Sequence, residues 1–186
     1  MCIRDSYMPG DFVSHVRMMK TDYEDTGLAQ LFGMPFVVLR KPVPFDTTTL
    51  NFNWQVWDTK AFSLYSRSTE KIDKKGADMA IAAVCRFLSR MNVLNYNVYG
   101  GYESTVLIEE ELVSLRSTAS GLYIPHVKSF DSVERGQVLA DIIDPLTGVT
   151  VAQTEAPEDG IVFFAKDSPL VMENETLFKI VNKLHK

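Results

Sequence analysis

Hydrophobic positions in the first half of the chain alternate between strand-like and helix-like patterns. The apolar run at residues 36–39 predicts a strand buried on both faces, and residues 61–65 predict a second strand. A capping-box pattern from Thr21 to Glu24 predicts a short helix that ends at Gly33. This order of strands and helices indicates an α/β layer with a parallel sheet.

Two further segments complete this first half. Asp73 is the predicted N-cap of a long helix that runs to about Met91. The apolar positions of this helix fall on one face at helical spacing: Ala77, Ile81, Val84, Cys85 and Leu88. Apolar and polar residues alternate along residues 47–57 as in a strand, but the segment is also compatible with a helix.

The pattern changes after the polar, glycine-ended stretch at residues 95–101, where we place a domain boundary. No helical periodicity follows. Short apolar runs separated by turn residues predict an all-β module whose strands cover residues 105–109, 112–117, 121–124, 137–142, 149–155, 160–165 and 176–181. The predicted organisation is a leader of non-native sequence at residues 1–8, an α/β part at 9–98 and a β-sandwich module at 102–183.

The β module contains an internal repeat. Val133, Gly136 and Leu139 recur as Val171, Asn174 and Leu177, with the same spacing in both places. Glycine and asparagine are the residues that most readily adopt positive φ, so each repeat is predicted to contain a strand, a tight turn and a returning strand. Two such units packed face to face are typical of a barrel-sandwich hybrid, the architecture of biotinyl and lipoyl domains.

Composition excludes several classes of function. The chain has 186 residues, 46% of them hydrophobic, and a formal net charge of −5. It has no cluster of basic residues, which argues against nucleic acid as a partner, and no apolar run near the ~20 residues that span a bilayer. Neither Cys2 nor Cys85 belongs to a CxxC pair, which favours a reducing, cytoplasmic setting. Homo-oligomerisation remains open.

Few residues offer chemistry. The three histidines, His15, His126 and His185, contain no zinc-binding spacing, so we assign no metal ligand within this chain. His15 lies between the pairs Phe12-Val13 and Val16-Arg17, where the chain is expected to leave a strand, and is therefore a candidate for substrate binding. After the strand that ends at Tyr65, a loop with Arg67 and Glu70 could anchor an anion and move a proton; an exposed turn is the alternative.

The order of motifs resembles the carboxy-terminal part of the succinylglutamate desuccinylase/aspartoacylase family. The resemblance lies in residues 120–125, 133–139, 144–148 and 156–162, and upstream in residues 31–38, 61–64 and 87–94. It implies a partial sheet of the zinc-carboxypeptidase type, followed by the β module. It also implies zinc-assisted hydrolysis of the amide of a small N-acylated substrate, with zinc ligands that would precede the segment containing His15 and Arg17.

The candidate site residues follow from the local patterns and from this resemblance together. The position at which the family carries its catalytic glutamate is Tyr65, so Tyr65 and the nearby Glu70 are the catalytic candidates, while His15, Arg17 and Arg67 are the substrate-binding candidates. Two alternatives remain open. One is a carrier module of the biotinyl or lipoyl type, although its hairpin tip at residues 144–148 has no lysine; the other is a non-catalytic protein that binds small molecules.

Overall fold

The computed structural model describes residues 10–68, 71–97 and 100–182, apart from the side chain of Phe45. The predicted leader at residues 1–8 lies outside this range. In chain order the elements are β1 (Gly10–Phe12), β2 (His15–Met19), α1 (Thr26–Gln30), β3 (Phe36–Arg40), a 3-10 helix (Pro44–Thr48), α2 (Leu50–Val56), β4 (Ser63–Tyr65), α3 (Lys74–Arg90), β5 (Thr105–Ile108), a 3-10 turn (Glu109–Glu111), β6 (Val113–Arg116), β7 (Gly121–Pro125), β8 (Ser132–Val133), β9 (Val138–Ile143), β10 (Thr150–Glu155), β11 (Gly160–Lys166), β12 (Leu170–Val171) and β13 (Thr176–Asn182).

The described residues form two compact units. The first contains residues 14–111, and the second combines residues 10–13 with residues 112–182. Residues 105–109 were predicted to open the β module, but β5 pairs in parallel with β3 and lies in the first unit. Its apolar side chains fit a parallel sheet as well as a sandwich, so the pattern alone could not assign this strand.

The first unit is built on a mixed four-stranded sheet in the order β4-β2-β3-β5. Strands β2, β3 and β5 are parallel, whereas β4 runs antiparallel to β2. The predicted strands at 36–39 and 61–65 are present, and β3 is buried along most of its length, as its apolar run indicates. Strand β2 had no predicted counterpart, because its alternation of polar and apolar residues spans only five positions.

Helices α1 and α3 contribute to the core on one face of this sheet. The core there contains Val16, Val37, Phe32 and Ala83, and Phe87 stacks on Phe32 with ring centroids 4.2 Å apart. The predicted apolar face of α3 was wrong: its members Ile81 and Val84 are exposed. The helix carries two apolar stripes at helical spacing, and the stripe that contains Phe87 faces the core. Among the described residues, no helix is long and apolar enough to cross a membrane.

The start of α1 also differs from the predicted one. Asp25, not Thr21, caps the helix, because the Asp25 carboxylate accepts a hydrogen bond from the Leu28 amide at 2.9 Å. Thr21 instead accepts a hydrogen bond from the side chain of Gln55. The ambiguous segment at 47–57 contains α2. Gly33 has φ of +62°, as its predicted place after the helix requires.

The second unit contains two antiparallel sheets around one apolar core. One sheet has the order β1-β11-β13-β6, with β8 also paired to β11, and the other has the order β10-β9-β7-β12. The remaining predicted strands of the β module are all present to within one or two residues at each end. The core contains side chains that include Leu139, Ile142, Leu177 and Phe178, each essentially inaccessible to solvent.

The internal repeat is confirmed in this unit. Gly136 and Asn174 both have positive φ, at +80° and +67°. The valines and leucines that frame these turns are all buried: Val133, Leu139, Val171 and Leu177. The two repeats also exchange their short strands, since β8 of the first pairs with β11 of the second, and β12 of the second pairs with β7 of the first.

Candidate functional site

The sheet of the first unit has a polar face opposite the face with the apolar core. Because side chains alternate along a strand, His15 and Arg17 of β2 lie on the side opposite to Val16 and Met18. Strand β4 adds Tyr65 directly opposite His15. The polar face therefore collects three residues that the sequence singled out.

These three side chains contact one another. The rings of His15 and Tyr65 are stacked, with centroids 4.9 Å apart and planes 7° from parallel. Arg17 donates a hydrogen bond from Nη1 to the Tyr65 hydroxyl at 3.4 Å, and its guanidinium carbon lies 5.5 Å from the centre of the ring. The His15 imidazole packs on the face of the Tyr65 ring, and the Arg17 guanidinium donates to the Tyr65 hydroxyl. Together these contacts fix the position of the phenol.

A carboxylate completes the cluster. Glu109, at the end of β5, forms an ion pair with Arg17 Nη2 across the intervening strand β3. The Arg17 side chain is 12% exposed. Burial alone would lower the pKa of Arg17, but the charge of Glu109 and the contact with Tyr65 outweigh it and raise this pKa. Arg17 is therefore a buried cation at any physiological pH.

Helix α2 shields the same face of the sheet. Gln55, which is fully buried, accepts a hydrogen bond from the Met19 amide at 2.9 Å and donates one to the Met19 carbonyl at 3.0 Å. Asn51 of the same helix donates to the hydroxyl of Ser63, the residue paired with Arg17, at 2.8 Å. The buried amide of Gln55 therefore supplies a hydrogen-bond partner to both backbone groups of Met19.

The loop that follows β4 does not lie where ligands usually bind to this class of sheet. In α/β sheets, ligands bind at the carboxyl ends of parallel strands. Because β4 is antiparallel to β2, the end of β4 lies at the amino ends of β2 and β3 instead. The cluster is thus defined by its polar sheet face and not by the carboxyl edge of the sheet.

Several solved structures have the same fold. The ectoine utilization protein EutE (DoeB) from Ruegeria pomeroyi superposes with a TM-score of 0.75 at 13% identity, over 92% of this chain and 54% of that one. A succinylglutamate desuccinylase/aspartoacylase from Rhodobacter sphaeroides gives a TM-score of 0.74 at 14% identity, over 96% and 56%. A succinylglutamate desuccinylase from Silicibacter sp. TM1040 gives 0.71 at 14%, over 93% and 55%.

The fold is that of succinylglutamate desuccinylase/aspartoacylase proteins. The resemblance read from the motifs is confirmed at this level. The chain spans about half the length of these solved relatives. No family model matches the sequence, and no curated protein matches it. At this low identity the relation to desuccinylase/aspartoacylase proteins is one of three-dimensional structure.

Within this fold, the predicted site residues fall into three groups. His15, Arg17 and Tyr65 come together. Arg67 lies two residues beyond β4, half-buried, with its backbone beside Gly76 in the first turn of α3. Glu70 lies outside the described residues.

Glu109 was not predicted from the sequence. It is the first residue of an acidic run, Glu109–Glu111, directly after a strand, which is the one local signal it offers. Its partner Arg17 is 92 positions away in the chain.

The desuccinylase/aspartoacylase resemblance implies zinc, so we tested whether the residues present could hold it. Within residues 10–68, 71–97 and 100–182, no group of three or more histidine, cysteine, aspartate or glutamate side chains could bind a metal ion. A zinc site needs at least three protein ligands. The described residues therefore do not fit a zinc site of their own, and we assign no chemical step to a metal on them.

Proposed function

We propose that this chain forms part of a hydrolase that removes an acyl group from an N-acylated amino acid or a similar small molecule. The fold shared with desuccinylase/aspartoacylase proteins supports the reaction class. The single observation that carries the proposal is Arg17, a buried guanidinium beside a phenol on the polar face of a sheet. Such a group suits an anionic small molecule.

Three members of the cluster have a role in this proposal. Arg17 binds the carboxylate of the substrate, since a guanidinium matches the geometry of a carboxylate. The Tyr65 hydroxyl accepts a hydrogen bond from Arg17 and directs its own proton to the substrate carbonyl, where negative charge develops as the amide is attacked. His15 packs on the Tyr65 ring and fixes its orientation.

The remaining predictions belong to the same proposal. Glu70 would move the proton and Arg67 would assist in anion binding. Zinc would be held by residues outside this sequence and would supply an activated water. We keep the cytoplasm as the proposed location because no CxxC pair is present. A carrier module finds no support, because the β9–β10 hairpin tip from Asp144 to Gly148 contains no lysine to modify.

The test requires the upstream coding region. The extended protein is assayed with N-acetyl and N-succinyl amino acids, and Arg17→Gln and Tyr65→Phe are compared with the surface variant Arg135→Gln. We expect Arg17→Gln to raise KM at least tenfold and Tyr65→Phe to lower kcat by about a hundredfold, the loss seen when one oxyanion donor is removed. Arg135→Gln should leave both parameters unchanged. An extended protein without hydrolysis of any N-acyl amino acid would reject the proposal.

A further inference from the structure

Arg17 is only partly satisfied by its neighbours. Its Nη1 donates to Tyr65 and its Nη2 to Glu109, but its Nε is buried and has no acceptor among the residues that the structure describes. The Nε and Nη2 groups form one edge of the guanidinium, the edge that a carboxylate can bind with two parallel hydrogen bonds. Glu109 meets this edge through a single oxygen, Oε2.

Arg17 and Glu109 also differ in how firmly they are held. Arg17 lies on β2, which is paired on both sides by β3 and β4. Glu109 begins a short 3-10 turn after the edge strand β5, and the two residues that follow it, Glu110 and Glu111, are exposed. The Glu109 side chain is also the more exposed of the two, at 23% against 12%, so its carboxylate is the member of the pair nearer to solvent.

We propose that Glu109 is a displaceable internal counter-ion of Arg17, which a substrate carboxylate replaces by binding the Nε and Nη2 edge. This inference rests on the proposed function, since it takes Arg17 as the anion-binding group. Two carboxylates on one guanidinium repel each other, so binding of the second favours departure of the first. Uncharged molecules cannot displace Glu109, and the ion pair therefore selects for anionic ligands.

If Glu109 competes with the ligand for Arg17, removing its charge should strengthen ligand binding. If the ion pair is only structural, removing that charge should leave ligand binding unchanged or weaken it. Glu109→Gln removes the competing charge and keeps an oxygen that can accept from Arg17. The 186-residue chain should bind succinate at least about fivefold more tightly with this substitution, the lower end of typical coupling between two ligands. The binding would be measured by calorimetry at low salt, with succinamide as the uncharged probe.

Matched variants give the result its meaning. Glu111→Gln makes the same charge change two residues away on an exposed side chain, and should leave succinate affinity within about twofold of the parent. Arg17→Gln should abolish succinate binding with either residue at position 109. Succinamide should bind no variant better than the parent.

Two outcomes would overturn the inference: equal or weaker succinate binding by Glu109→Gln, or equal gains in Glu109→Gln and Glu111→Gln. Should Glu109→Gln fail to fold by circular dichroism, Glu109→Asp serves instead, because its shorter carboxylate is drawn back from Arg17. A smaller gain in affinity is expected from it, and no gain would likewise reject the exchange. These measurements need no catalysis, so a failure to hydrolyse amides in the extended protein would leave their result intact.

Discussion

The two units of the chain differ in the kind of sequence pattern that forms their buried cores. The second unit repeats one pattern twice and buries equivalent apolar residues, such as Leu139 and Leu177, in both copies. The first unit has one sheet with an apolar face and a polar face, and its polar face carries a buried cation. Local repetition therefore accounts for one unit, while contacts between distant residues account for the other.

The strongest test of the repeat is steric. Gly121 and Gly160 occupy equivalent places, each opposite the short strand of the other repeat. A Cβ atom at Gly160 would lie 2.6 Å from the Val181 carbonyl oxygen, and one at Gly121 would lie 2.5 Å from the Ile143 carbonyl oxygen. We expect Gly121→Ala and Gly160→Ala each to lower the free energy of unfolding by about 3 kcal/mol, measured by urea denaturation.

Gly148→Ala separates this steric effect from backbone strain. Gly148 has φ of +71°, but among the described residues no atom beyond its two chain neighbours lies within 4 Å of a Cβ built there. Its substitution should cost about 1 kcal/mol, the ordinary penalty for a left-handed conformation. Losses of different size at Gly121 and Gly160 would contradict the equivalence of the two repeats.

A smaller effect is expected in the first unit. Arg86 of α3 is buried and donates from Nη1 to the Phe32 carbonyl at 2.5 Å, with Gly33 and Gly101 packed against its side chain. Arg86→Met keeps an unbranched apolar stem but leaves that carbonyl without its donor. It should lower the free energy of unfolding by about 2 kcal/mol.

Arg90→Met is the matched control for Arg86, one turn further along α3. Arg90 also donates to the end of α1, at the Leu31 carbonyl, but it is exposed. Water can replace its bond, so its loss should be under about 0.5 kcal/mol. Equal losses at both positions would indicate that burial of the Phe32 carbonyl does not matter.

The smallest effect depends on pH. Glu175 forms an ion pair with Lys166 in the second unit and also accepts from the Met172 amide, and these contacts lower the pKa of its carboxyl. The pKa of Glu175 is lower in the folded than in the unfolded protein. The stabilisation is therefore present at neutral pH and is lost as the pH falls through the folded-state pKa. Glu175→Gln should cost about 1 kcal/mol at pH 7, since the carboxylate is partly exposed.

The difference in stability between Glu175→Gln and the parent should shrink as the pH falls from the ordinary pKa of a glutamate through the lowered pKa of the folded parent, below which the Glu175 carboxyl is uncharged like the glutamine. Thermal unfolding between pH 3 and pH 7 measures it, with the exposed Glu173→Gln as the control. A difference that stays constant across this range would assign the stabilisation to packing and not to charge.

The features that were predicted correctly depend on local chemistry. The turn at Gly136 needs a residue that tolerates positive φ, and the buried Val133 and Leu139 around it recur at fixed spacing. In α3 the predicted apolar face was the wrong one, because only the rest of the unit decides which side of the helix is buried. The pair of Arg17 and Glu109 joins distant parts of the chain, so no window of sequence could reveal it.

The candidate site divides in the same way. Tyr65 was predicted from its place in a motif, and His15 from its local surroundings. That they stack on each other follows from the antiparallel pairing of β4 with β2, and strands of three and five residues do not encode this pairing on their own.

Strand β1 has a consequence for how such a protein can be rearranged. Gly10, Asp11 and Phe12 pair with β11, although the chain from Ser14 onward belongs to the first unit. A cut at residue 112 would therefore remove an edge from the carboxy-terminal unit. The second unit is built from two separate stretches of the chain, so its transfer to another protein by recombination would need two crossovers instead of one. This favours inheritance of the two units together.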